Sequence, residues 1–441
     1  MIVTLPENFL PEKKYIISTL LSYLGIKPSF SVWNKTFYMF SVGERKILFA
    51  DSFFSDKQNY LNINYIPKKF FTLPKNKFSQ INIPFLFGSP KISQEQNTIT
   101  FYPDIFASAF FMLSRWEEYV IPERDKHSRF PDNLNLLKKF NLHRQPIICY
   151  YVYLLNNLFK WLGLNTNLTQ HYKLYLTHDI DLAQKFPSVI TGFKTIANDL
   201  IRRKSPRLAT LSTKQLISTK LLKKPDPYDS FDFLMNIAEQ NNLKAHFYFI
   251  PSLKNEPWAF YDYNSPVIRK YINKILHRNH IVGLHASYRS YNNPKLFKQE
   301  LLRFVSEFNF YPQEGRQHFL RFQVPTTWQL WEQNNLKQDS TIGFYSDVGF
   351  RAGTCYPYHP FDVINRKQLN LIELPLILMD APAWNITKNW EKFFNLAMQL
   401  KTLIKQFNGT FTILWHNDKF AFGHFSNTYN FYKNLIENLA K

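Results

Sequence analysis

The chain has 441 residues, 45% hydrophobic and 20% charged, enough for two or three domains with cores of their own. Two cysteines, Cys149 and Cys355, exclude a disulfide framework, and no apolar run reaches the roughly 18 residues of a membrane-spanning helix. The net charge of +21 would suit an anionic partner, but joint richness in Lys, Asn, Ile, Phe and Tyr reads more simply as compositional bias, and no nucleic-acid partner is expected.

In chain order, the first apolar stretch is YIISTLLSYLGI, residues 15 to 26. It lacks a small-residue cleavage site and acidic residues precede it, so a buried helix is expected rather than a secretion signal, and with it a cytoplasmic location. Helices are expected from Pro103 or Asp104 through Tyr119 and from Ile147 to Leu162, with the turn-rich PERDKHSRFPDN between them. The pattern changes near residue 170. Strands are expected at 172–178, 245–250, 281–285, 318–322, 341–345, 371–378 and 410–416, with helices between them. Asp229 or Ser230 is placed to cap the helix FDFLMNIAEQ. Residues 390 to 407 carry one apolar stripe, and Gly409 follows as a stop. Between Leu182 and Pro225, ten Lys or Arg residues accompany a single acid, Asp199. That stretch reads as a solvated helical insertion, with peripheral contact to an anionic membrane as the alternative. The fold class expected is α/β: about seven strands separated by helices argue a parallel architecture, sheet or barrel, over residues 171–441, with the insertion at 182–225. A smaller α+β accessory domain over 1–170 precedes it.

The chemistry-bearing residues stand where apolar stretches end. KLYLT runs into His178-Asp179-Ile180-Asp181, and a period of two puts Asp179 and Asp181 on one face. Neighbouring carboxylates need a cation, a proton or an arginine to coexist. IVGL runs into His285, and FTILW into His416. Acids and imidazoles at the ends of several strands point to a metal or acid–base site on an α/β scaffold. Asp347 and Arg351 flank the loop DVGFRAG and are expected to line a pocket, and Trp328 is a candidate to stack on a sugar ring.

Five motifs occur in an order that resembles the polysaccharide deacetylases of the NodB-homology type, over about residues 172 to 430. They are THDID, GLHASYRS, LRFQVP, LIELP and ILWHND, with QDSTIGF and DVGFRAGTCYP resembling the segment after the third. FYPDIFASAFFMLSRWEEY resembles the domain that precedes this module in one bacterial subgroup. The resemblance implies a distorted (β/α) barrel of about seven strands in which Asp179 is the general base and Asp181 and His285 hold a divalent metal, zinc being expected. It further implies that Arg321 orients Asp179 and that His416 protonates the leaving amine. A metal suits amide hydrolysis because it lowers the pKa of bound water to about 7. One departure stands out: the second motif should offer a histidine four residues after His285, and this chain has Arg289, which cannot ligate a metal. His318 is the best replacement ligand, with His178 and His280 as further candidates. The implied activity is removal of an acetyl group from an N-acetylated sugar of a surface glycan or its lipid-linked precursor. The rivals are hydrolysis of another C–N bond and a metal-free glycan- or membrane-binding protein.

Overall fold

The computed structural model describes residues 1–55, 59–251, 261–421 and 428–441. Two compact units emerge, and they do not follow the contiguous division at residue 170. The first comprises Met1–Lys173, Leu320–Ile377 and Leu400–Phe411, the second Leu174–Phe319, Leu378–Gln399 and Thr412–Lys441.

The first unit is α+β. Six strands form one mixed sheet in the order Ser29–Trp33, Ile2–Pro6, Phe37–Val42, Arg45–Ala50, Thr98–Pro103, Gly88–Glu95. The apolar stretch near the start becomes the helix Leu10–Ser22, whose buried face includes Ile16, Ile17, Leu20 and Leu21. Asp104 caps Ile105–Ser114 by accepting from Ala107 N at 2.9 Å. The single helix expected through Tyr119 is instead broken at Arg115, which is left-handed with φ 54°. The later helix runs Ile147–Trp161, as its periodicity implies. Two two-residue strands, Gln338–Asp339 and Ile372–Glu373, pair in parallel. They replace the longer strands expected at 341–345 and 371–378.

The second unit carries the parallel, barrel-type α/β sheet. Its strands are β1 (Lys173–Ile180), β2 (Ala245–Phe249), β3 (Ile281–Ala286), β4 (Glu314–Gln317), β5 (Leu378–Met379) and β6 (Thr410–Leu414), in the spatial order β5-β6-β1-β2-β3-β4. Leu176, Phe247, Leu284 and Ile413 are fully buried along it. The helices are α1 (Val189–Ile201), α2 (Pro206–Lys220), α3 (Phe231–Gln240), α4 (Pro266–His277), α5 (Pro294–Phe308), α6 (Asp380–Thr387), α7 (Trp390–Gln406) and α8 (Thr428–Ala440), with Lys173 of β1, the α7 residues from Leu400 on, and Thr410 and Phe411 of β6 counted in the first unit. Three of them start alike: Ser205, Ser265 and Asn293 accept a backbone N–H, and a proline follows at the first helical position of α2, α4 and α5. Ser230 precedes α3 but does not cap it, because its hydroxyl donates to the Asn417 carbonyl at 3.0 Å. Gly315 is demanded by β4: a Cβ there would sit 1.8 Å from the Leu284 carbonyl oxygen on β3. Helices between parallel strands leave one end of the sheet, the C-terminal one, free to carry a site.

Candidate metal and acid–base site

Every side chain of the site stands at that C-terminal end. Asp179 is the penultimate residue of β1, and Asp181 follows its last residue. His285 is penultimate on β3, and His318 follows β4 directly. Asp380 follows β5, and His416 lies two residues beyond β6. The parallel register aligns Asp179 with Tyr248 and His285 with Arg316. After His318 the chain turns sharply through two consecutive left-handed residues, Phe319 (φ 62°) and Leu320 (φ 51°). Such strain in non-glycine residues persists only where surrounding structure enforces it, often at functional sites.

Asp181 Oδ1 is the centre of the cluster. It lies 3.3 Å from His285 Nε2 and 3.5 Å from His318 Nε2. The ligating atoms of these three residues all fall within 4.8 Å of one another. Asp181 Oδ1 is buried and makes no well-formed hydrogen bond. Donors 2.0–2.1 Å from a tetrahedral ion stand about 3.3 Å apart, so the spacing fits one small divalent cation. His285 Nδ1 faces the Arg316 carbonyl at 2.8 Å, an arrangement that turns Nε2 toward the cluster. Burial works to raise the Asp181 pKa, but the imidazoles of His318, His285 and His416 hold it well below the usual carboxylate range. Burial works to lower that of His285, and the carboxylates of Asp179 and Asp181 outweigh it, so its pKa is raised.

Two pairs flank the cluster. Arg316 Nη1 donates to Asp179 Oδ1 at 2.7 Å, leaving Asp179 Oδ2 3.6 Å from His285 Nε2. His416 Nδ1 lies 2.9 Å from Asp380 Oδ2, and its Nε2 lies 3.8 Å from Asp181 Oδ2. Burial opposes charge on His416, but the Asp380 carboxylate more than offsets it and raises the imidazole to about 9. A carboxylate poised by a guanidinium, a three-donor cluster and an imidazolium form an arrangement able to move protons around a bound cation.

The structure brings together Asp179, Asp181, His285, His318 and His416, and adds Arg316 and Asp380. The guanidinium beside Asp179 belongs to Arg316, not to Arg321, whose Nε donates to the His127 carbonyl at 2.7 Å. The expected strand at 318–322 lies four residues early, at Glu314–Gln317, and that displacement moves the arginine. Asp380 ends the apolar run LILM much as Asp179 and Asp181 end KLYLT, so the signal was present. Arg289 is exposed on the turn after β3, outside the buried cluster. His178 points to the other face, with Nδ1 2.7 Å from the Trp415 carbonyl and burial lowering its pKa to about 3. His280 precedes β3, at the opposite end of that strand, and accepts from Ala245 N.

The three residues expected to contact substrate are engaged within the first unit. Trp328 is fully buried, with Nε1 donating to Glu373 at 2.9 Å, and a ring with no accessible face cannot stack on a sugar. Arg351 is buried between Glu118 at 3.0 Å and Asp132 at 3.2 Å. Asp347 gathers Lys138 and Arg144, each at 3.1 Å, and His143 at 3.4 Å.

A family model described as a family of unknown function (DUF7033) matches residues 1–163. No curated protein matches the sequence. Among solved structures, one described as a polysaccharide deacetylase from Mycobacterium smegmatis is 13% identical with a TM-score of 0.39, covering 60% of this chain and 84% of its own. A family 4 carbohydrate esterase from Streptomyces lividans, in complex with acetate, is 11% identical with a TM-score of 0.30, covering 62% and 88%. A CE4 family pseudoenzyme from Bacillus anthracis is 9% identical with a TM-score of 0.31, covering 61% and 60%. Likenesses this shallow carry no argument about activity. Among the described residues, no helix is long and apolar enough to cross a membrane.

Proposed function

We propose that the chain is a metal-dependent hydrolase that removes the acetyl group from an N-acetylated sugar of a surface glycan or its lipid-linked precursor, on the cytoplasmic side. The observation that carries this reading is the cluster of Asp181, His285 and His318, with ligating atoms within 4.8 Å of one another. One carboxylate and two imidazoles suit zinc, and these three residues would hold it. Such an ion supplies acidified water and a polarised acyl carbonyl. Asp179 is the base that takes the proton from the attacking water. Arg316 is a positioning residue: it occupies Asp179 Oδ1 and leaves Oδ2 directed at the cluster. His416 carries the proton for the departing amine nitrogen, and Asp380 orients its ring and favours the charged form. The metal-free binding rival rests on Arg289, which cannot ligate a metal; His318, with Nε2 3.5 Å from Asp181 Oδ1, offers a third donor in its place and favours the hydrolase.

The test is metal content after zinc loading and exhaustive dialysis, followed by acetate release from N-acetylated chito-oligosaccharides. Wild type should retain about one equivalent and Asp181→Ala none, and only the loaded wild type should release acetate. A wild type that retains no metal overturns the reading.

A further inference from the structure

The chain leaves the sheet after Ile180, passes Asp181, and then builds the helical hairpin α1–α2 before α3 begins. The hairpin closes on itself. A Cβ on Gly192 would meet Leu216 Cδ1 at 2.4 Å, and the buried Asp199 takes the Ser212 hydroxyl at 2.6 Å and Arg203 at 2.8 Å. Its outer side is unlike the surface elsewhere. Eight of the twenty exposed large apolar side chains among the described residues fall between 189 and 222. Phe193 is 64% exposed, Ile190 68%, Ile201 73%, Leu221 74% and Leu222 63%. At 100° per residue, Val189, Ile190, Phe193, Leu200 and Ile201 share one face of α1, about 120° wide. Ten Lys or Arg residues lie between 182 and 225, and the only acid there, Asp199, is buried and already paired. A cavity of about 690 Å³ beneath α1 is lined in part by Lys185, Lys194, Arg202 and Arg203.

We propose that this hairpin is an interfacial anchor that lays its apolar face on an anionic phospholipid bilayer. An apolar stripe flanked by cations and free of exposed acids matches the boundary between acyl chains and acidic headgroups. The cationic cavity offers a headgroup phosphate a place beside the inserted side chains. A second copy of this chain fits worse, because ten cations would meet ten. The anchor departs from the loop that carries Asp181, so a membrane-borne substrate is brought to the same unit as the cluster.

The experiment is flotation of the full chain with vesicles of phosphatidylcholine alone and with roughly a third phosphatidylglycerol. Binding to the anionic vesicles should exceed binding to the neutral ones by about tenfold or more and fall steeply with salt. Phe193→Ser/Leu222→Ser should lose about tenfold without a change in thermal midpoint, and Lys223→Glu/Lys224→Glu should lose the preference for anionic lipid. No binding to anionic vesicles, or binding that the apolar double variant leaves intact, overturns the proposal. So does a dimer in solution that the same variant dissolves while vesicles are ignored, which would make the stripe a self-association face. The readout needs neither metal nor glycan, so failure here and failure of the hydrolase reading are separable.

Discussion

Replacing Arg316 by methionine should destabilise the metal-free protein by about 3–5 kcal/mol, the cost of stranding one partner of a buried ion pair. The guanidinium is fully buried, with Nη1 2.7 Å from Asp179 Oδ1 and Nη2 3.1 Å from Thr177 Oγ1. Asp179 is itself 2% exposed, so water cannot replace the lost donor. The charge-assisted bond is worth about 1.5–3 kcal/mol and the Thr177 bond about 1 kcal/mol, and the remainder is the uncompensated carboxylate. Methionine keeps a long apolar stem over the Tyr248 ring, whose centroid lies 5.3 Å from the guanidinium carbon. The assay is denaturant unfolding of wild type, Arg316→Met, Asp179→Asn and the double variant. The double variant should recover a large part of the loss, because a neutral amide leaves no charge stranded. Arg321→Met, run in the same cycle, should show no coupling to Asp179→Asn. The reasoning fails if Arg316→Met stays within about 0.5 kcal/mol of wild type, or if the coupling belongs to Arg321.

Three further outcomes are expected. His318→Ala should weaken zinc retention by about a hundredfold or more in a competition titration with a chelator, and equal retention would remove His318 from the ligand set. In metal-free protein, His416 has its pKa raised from 6.5 to about 9, so the stability it contributes is present below pH 6.5 and lost as pH rises through 9. Asp380→Asn should abolish that pH dependence of unfolding and move the His416 NMR titration midpoint below 6.5, and an unmoved midpoint would show that Asp380 does not hold the proton. Trp328→Ala should cost about 3–5 kcal/mol by opening a cavity beside Glu373 while zinc retention stays at the wild-type level, and lost zinc with unchanged stability would contradict its core position.

The ends of β1, β3 and β6 were legible because ordinary apolar runs lead into them: KLYLT, IVGL and FTILW each break at a polar residue. β4 was not, for a reason tied to function. In EGRQHFLRF the apolar residues crowd the second half, so periodicity draws the strand toward 318–322. The real strand is Glu314–Gln317, where Gly315 serves a close approach of backbones and Arg316 serves Asp179. Residues chosen for a site break the local pattern that would otherwise announce the element carrying them. Asp347 and Arg351 misled in the opposite way. A glycine-containing loop with an acid and a base suggested a pocket, yet their partners lie near residues 118 to 144, more than 200 positions away, and no local pattern can show such pairs.

The two carboxylates of THDID show why a spacing alone could not divide the labour between them. Both lie on one face at the end of β1, and two like charges so placed would each seek a counter-charge. Arg316 donates to Asp179 at 2.7 Å, so that acid is charge-balanced before any cation arrives. Asp181 meets imidazoles instead, at 3.3 and 3.5 Å, and an imidazole can give up its proton and turn a lone pair to a metal. A guanidinium cannot do this, and an arginine placed against Asp181 would compete with the ion rather than assist it. The partner chemistry therefore separates a base from a ligand two residues apart, which makes Arg316→Met and His318→Ala expected to fail in different assays: the first in stability and turnover with zinc retained, the second in zinc retention itself.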